Sequence, residues 1–119
     1  MEDVGAQYVR NFLVAMPHVV IATDISEILT DAEPCHVVVA RDLRELRAGH
    51  FDIVFTVPSI LDDATLDGLR AHACQGGHVV LVNGDSSALA ESEGWEVLVQ
   101  PFRPEDVTAI LLARGLLRD

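Results

Sequence analysis

Cysteine, aromatic residues and positive charge are all scarce in this chain, and each scarcity removes a class of explanation. Among 119 residues there are two cysteines, Cys35 and Cys74. Two thiols make no disulfide framework and suit a reducing compartment, so the cytoplasm is the expected location. One Trp, one Tyr and four Phe leave Val, Ile, Leu and Ala to fill the interior, as in parallel strands buried on both faces. Eight Lys and Arg stand against nineteen Asp and Glu, a formal net charge of −11. Without a basic stripe the chain has nothing to exchange for phosphate counterions, which argues against direct binding to nucleic acid or anionic lipid. No apolar run approaches the roughly eighteen residues of a membrane span. The opening MEDVGAQYVR lacks the basic n-region of a signal peptide.

What remains is an apolar half, 50% of the residues, enough for one domain over 1–119 with a core that needs no staple. Five short runs rich in Val and Ile read as buried strands: His18–Ala22, Cys35–Ala40, Phe51–Val57, His78–Val82 and Trp95–Val99. Helical patterns separate them. Asp42 opens DLRELRAG; Asp62 or Asp63 opens a helix closed by Gly76-Gly77; Asp85 opens SSALAESE before Gly94; Pro104 starts the last helix with Glu105 and Asp106 behind it. Before the first of these strands, Val4, Tyr8, Phe12 and Ala15 recur at helical spacing, so an extra amphipathic helix is expected over 1–16 and the core over 18–118. Strand–helix alternation with short connections implies an α/β fold of five parallel strands joined by right-handed crossovers.

In such sheets ligands gather at the carboxyl ends of the strands. FDIVFTVPSI, VVLVNGD and VLVQPFRPEDVTAILLARGLL resemble the third strand, the fourth strand and the fifth strand with its closing helix of response-regulator receiver domains. HVVVARDLREL is similar to their second strand and helix. The most specific part is Q-P-F-x-P-E-D, where the family has Lys-Pro-Phe. The resemblance implies a doubly wound, flavodoxin-like sheet of order 2-1-3-4-5.

It also implies where the chemistry would lie. The family uses an aspartate ending the third strand as phosphoryl acceptor, and two acids after the first strand to hold Mg²⁺. A Thr or Ser ending the fourth strand and a Lys ending the fifth grip the phosphoryl oxygens. Carried over by position, the acceptor becomes Val57, the acids Thr23 and Asp24, the hydroxyl residue Asn83, the lysine Gln100 and the switch aromatic Val97. A slip of one residue places Thr56 at the acceptor position, still without a carboxylate. The resemblance is therefore to a degenerate receiver without enzymatic activity, cofactor or metal.

Such a domain is expected to act by association with a protein partner or itself, regulating a transcription factor or kinase. Leu112 and Leu116, near Thr108, are the candidate contact residues on the last helix, with Trp95 at the start of the last strand; a homodimer through that strand and helix is one form of the contact. Burial at the flank of the apolar stripe is the plain alternative for both leucines, and rim packing for Trp95. The His72-x-Cys74-x3-His78 spacing matches no standard zinc motif, so core thiols and surface imidazoles are expected. Asp24, Ser59, Asn83 and Asp85 are expected to be caps and turn residues.

A rival reading comes from VVIATDISEIL, which resembles the second strand of class I S-adenosylmethionine methyltransferases, with Asp24 in the place of the ribose-binding acid. The glycine-rich cofactor loop of that fold is missing. A flavodoxin-like nucleotide-binding module ranks behind both, having no phosphate-cradling loop.

Overall fold

The computed structural model describes residues 10–32, 35–82 and 87–116. From the first described residue the expected order of elements is overturned. Residues Arg10–Ala15 form a strand, β1, and Val19–Ala32 form a helix, α1. The amino-terminal helix expected over 1–16 is thus a strand across 10–15, and residues 1–9 lie outside the described part. The strand expected at His18–Ala22 is the first turn of α1.

The physical reason is visible in the burial. Phe12, Leu13, Val14 and Ala15 are all wholly buried, the pattern of a central strand covered on both faces. Ala22, Ile25 and Leu29 recur along α1 at helical spacing and face the core, while Thr23, Asp24, Glu27 and Asp31 face water. Pro17 breaks the chain between the two, and the Ala22 N–H donates to His18 O (2.9 Å) to start the helix.

The remaining elements are β2 (Cys35–Ala40), α2 (Glu45–Ala48), β3 (Ile53–Thr56), a single 3-10 turn (Pro58–Ile60), α3 (Asp63–Cys74), β4 (His78–Val82), α4 (Ser87–Glu93), β5 (Glu96–Leu98) and α5 (Pro104–Ala113). The five strands pair in parallel in the order β2-β1-β3-β4-β5, the expected doubly wound sheet. Helices α1 and α5 close one face over Phe12, Val14, Phe55 and Val80. Helices α3 and α4 close the other over Leu13, Val54, Val79 and Leu81.

Local chemistry fixes the helix ends. Asp62 caps α3 reciprocally: its Oδ1 accepts from the Thr65 N–H (2.9 Å), and its own N–H donates to Thr65 Oγ1 (2.8 Å). Pro104 sits in the first turn of α5, and the Arg103 N–H donates to Asp106 Oδ2 (2.8 Å). Two left-handed glycines decide where candidate contact residues go. At the end of α5, Gly115 (φ +71°) turns the chain so that the Leu116 N–H donates to Leu111 O (2.8 Å). That six-to-one closure folds Leu116 back onto Leu111, and both are buried in one cluster. Leu116 is therefore core and not surface, a correction to its expected place one helical turn beyond Leu112. Gly94 (φ +77°) does the same for α4, with the Trp95 N–H donating to Ala90 O (2.8 Å). Trp95 packs half-buried at the rim of the second cluster.

Candidate functional site at the carboxyl rim of the sheet

The carboxyl ends of β1 and β3, neighbours at the point where strand order reverses, are followed by apolar side chains. Met16 follows β1 and Val57 follows β3; they are 2% and 1% exposed and belong to the same apolar cluster as Val14 and Val82. Pro17 and His18, next along the chain, are exposed. After β5 come Val99 and Gln100, both exposed, then Pro101. Asn83 and Asp85 lie outside the described residues.

Thr23 and Asp24, expected at the end of a strand, stand exposed in the body of α1 and do not join this rim. That is a second consequence of the exchanged strand and helix. The residues that do follow β1, Met16 and Pro17, bring no side-chain oxygen. Asp24 cannot serve as the ribose-binding acid of a methyltransferase either, because VVIATDISEIL is a helix where that reading needs a strand. Ser59 is an exposed residue of the 3-10 turn. Val97 is half-buried against the α3–α4 face.

One polar atom is buried beneath this rim. Thr56 ends β3 paired with Ala15 and Leu81, is wholly buried, and its Oγ1 has no hydrogen-bond partner. The alternation of β3 turns it toward the α3–α4 face, away from Val57. Nothing in the sequence pattern marked it as an orphan.

A groove of about 850 Å³ lies elsewhere, between α2 and α3. It exists because α2 is a single turn and leaves part of the sheet face uncovered. Its walls mix Leu43, Leu46 and Phe51 with Asp42, Arg44 and His72, and no set of like groups converges there. Among the described residues no cluster of three or more His, Cys, Asp or Glu could hold a metal. Cys35 is half-buried and Cys74 exposed, so only the first approaches the expected core thiol.

The titrating groups sit at the opposite, amino-terminal rim. His72 Nε2 lies 3.1 Å from His78 O and so carries the proton that it donates. Burial holds His72 below the ordinary imidazole value of 6.5, with that hydrogen bond opposing; burial lowers His78 too, helped by Arg114. As pH falls below about 6.5 the unfolded chain protonates these rings while the folded chain resists, so stability falls with acidification. The urea midpoint is expected to drop between about pH 7 and about pH 5. In His72→Gln, which keeps an N–H donor, that drop should be smaller; an identical pH profile would remove His72 from the account.

No protein-family model matches the sequence, and no curated protein matches it. Solved structures do. A CheY-like response regulator receiver domain of Methanospirillum hungatei aligns with a TM-score of 0.73 at 15% identity, over 90% of this chain and 94% of that one. The chain has the receiver fold. The chemotaxis response regulator CheY4 of Vibrio cholerae gives a TM-score of 0.72 at 18% identity, over 90% of this chain and 99% of that one. A candidate pilus assembly protein (cpaE) of Burkholderia thailandensis gives 0.70 at 22% identity, over 90% and 98%. At these identities the likeness is one of fold. In a receiver fold the β1–β3 rim is the switch point where ligands and chemistry are expected, and here Met16 and Val57 fill it. Among the described residues no helix is long and apolar enough to cross a membrane.

Proposed function

We propose that this receiver fold accepts no phosphoryl group and acts by protein–protein association. The observation that carries the reading is Val57. Phosphoryl transfer to a receiver needs a carboxylate at this position, and the side chain present is an aliphatic one, 1% exposed and packed with Met16. Mg²⁺ takes hard oxygen ligands, and the two residues after β1 are Met16 and Pro17. The lysine that neutralises the phosphoryl oxygens in the family is missing as well: the chain contains no lysine, and the residue after Val99, where it would stand, is Gln100.

Fold alone assigns no pathway; the same architecture serves a chemotaxis regulator and a candidate pilus assembly protein. Association is the reading left when the chemistry is taken away. A surface for it is the edge formed by β5 and α5. Leu112 is 56% and Val99 57% exposed there, and Thr108, half-buried, donates its hydroxyl back to Glu105 O (3.2 Å). The occupant would be a protein partner, such as a transcription factor or kinase that the domain regulates.

Incubation with a small phosphodonor and Mg²⁺ followed by intact-mass measurement tests the first half. The expected spectrum shows the unmodified mass at every time point. A stable adduct would end this reading.

A further inference from the structure

The two edges of the sheet are guarded very differently. A bare strand edge offers unpaired N–H and C=O groups to any other strand, and proteins ordinarily blunt it with brevity, charge, proline or a bulge. The β5 edge has two of these devices. It is three residues long, and its Glu96 is held by Arg114, whose Nε–H donates to Oε2 at 2.9 Å. The β2 edge has none. It runs six residues, CHVVVA, pairs one-to-one with β1 without a bulge, and contains no proline and no acid. Among the described residues six large hydrophobics are exposed, and four of them, Val19, Val20, Val38 and Val39, lie on β2 or at the start of α1 beside it.

We propose that β2 pairs antiparallel with β2 of a second copy, joining the two sheets about a two-fold axis. The backbone directions fit this. The Met16 N–H donates to Ala40 O (2.9 Å), so Ala40, Val38 and His36 bond inward to β1. In a parallel ladder alternate residues then point outward, which turns the N–H and C=O of Val37 and Val39 to the open edge. Outward groups must meet outward groups across an antiparallel pair, and centring the axis on Val38 places each Val37 against Val39 of the other copy.

Charge selects a second copy over an arbitrary strand. A chain of net charge −11 repels itself almost everywhere, yet this strip carries no negative charge. The same register sets Arg41, exposed at the end of β2 and in no ion pair among the described residues, across from the start of the other β2. The last turn of α1, which carries exposed Asp31, lies at that same start, where Cys35 Sγ donates to Leu29 O (3.5 Å). The two-fold would place this pair of opposite charges at both ends of the joint. Joining the sheets also removes Val38 and Val39 from water on opposite faces.

The axis gives a site-specific test. Residue 38 of each copy would face its counterpart in the non-hydrogen-bonded position, about 4.5 Å between Cα atoms, inside the roughly 4.4–6.8 Å range of disulfides. In the full chain with Cys35→Ser and Cys74→Ser, Val38→Cys is expected to form a covalent dimer under mild oxidation. Val20→Cys, more exposed than residue 38 (73% against 36%) but off the edge, should stay monomeric. By light scattering, the unaltered chain should weigh twice its chain mass, Val39→Lys once, and Leu112→Asp twice. Circular dichroism on Val39→Lys guards against simple misfolding, and the conservative Val38→Cys result stands regardless. A monomer up to roughly 0.1 mM, or a dimer that survives Val39→Lys and dissociates in Leu112→Asp, would overturn the proposal. Neither result bears on phosphorylation.

Discussion

Val57→Asp is expected to destabilise the protein by about 3–5 kcal/mol, the cost of an uncompensated charge in the interior, and to gain no phosphoryl acceptor. The position looks like the easiest one to repair, since a single codon would restore the missing carboxylate. Its surroundings forbid it. Val57 lies in extended backbone (φ −121°, ψ 146°), is 1% exposed, and shares its cluster with Met16, Val14 and Val82. A carboxylate there would lose its hydration and meet methyl and thioether groups in place of a metal or a lysine. The new acid would hold its proton to higher pH than an ordinary aspartate, so the deficit should deepen as pH rises through and beyond the usual carboxylate range. Val57→Asn, polar but uncharged, should cost less, about 1–3 kcal/mol, and show no such pH dependence. Urea unfolding at several pH values distinguishes the three proteins. Against a typical domain stability of about 5–15 kcal/mol, the aspartate variant loses a large share. A loss below about 1 kcal/mol, or a phospho-adduct in the variant, would mean that water and cations reach this rim.

The parts of the fold that could be read from residues were those with asymmetric punctuation. Asp62 with Thr65 and Pro104 with Asp106 mark helix starts by which groups they can bond, and Gly76 and Gly94 mark ends by a backbone angle that side chains disfavour. Strands β2 to β5 fell between such marks and were placed to within a few residues. The first strand and helix had no such mark except Pro17. NFLVAM and VVIAT are both short apolar runs, and a strand buried on both faces has no alternation to distinguish it from a helix segment. The β-branched residues of VVIAT favour a strand locally, and the packing of α1 overrides that preference. The longer period through Ala22, Ile25 and Leu29 runs on from VVIAT and makes it the first turn of a helix. The site inherited that exchange: Thr23 and Asp24 moved off the rim and Met16 and Pro17 took their place. Val57 and Gln100 were placed by counting from β3 and β5, which were sound. Leu116 was misplaced for a different reason. Helical spacing from Leu112 ignores that a glycine after the last turn reverses the chain.

The second large effect concerns the residue beside Val57. Thr56→Val is expected to stabilise the protein by about 1–3 kcal/mol, the desolvation cost of a hydroxyl buried without a partner. Threonine and valine have nearly the same shape, and both are β-branched, so the strand geometry and rotamer of β3 are kept while the orphaned Oγ1 is removed. Thr56→Ser should do the opposite, keeping the hydroxyl and losing a packed methyl group. Thermal unfolding should then rank valine above threonine above serine. The reverse order for valine would be informative about function as well as stability. It would mean that the Thr56 hydroxyl bonds something in solution, a water or a small ligand under the end of β3, and the switch point of the sheet would then be a wet, receptive site. Valine as the most stable of the three would instead leave both neighbours at the end of β3, Thr56 and Val57, as packing residues. Association through the surface would then be what this receiver fold has left to work with.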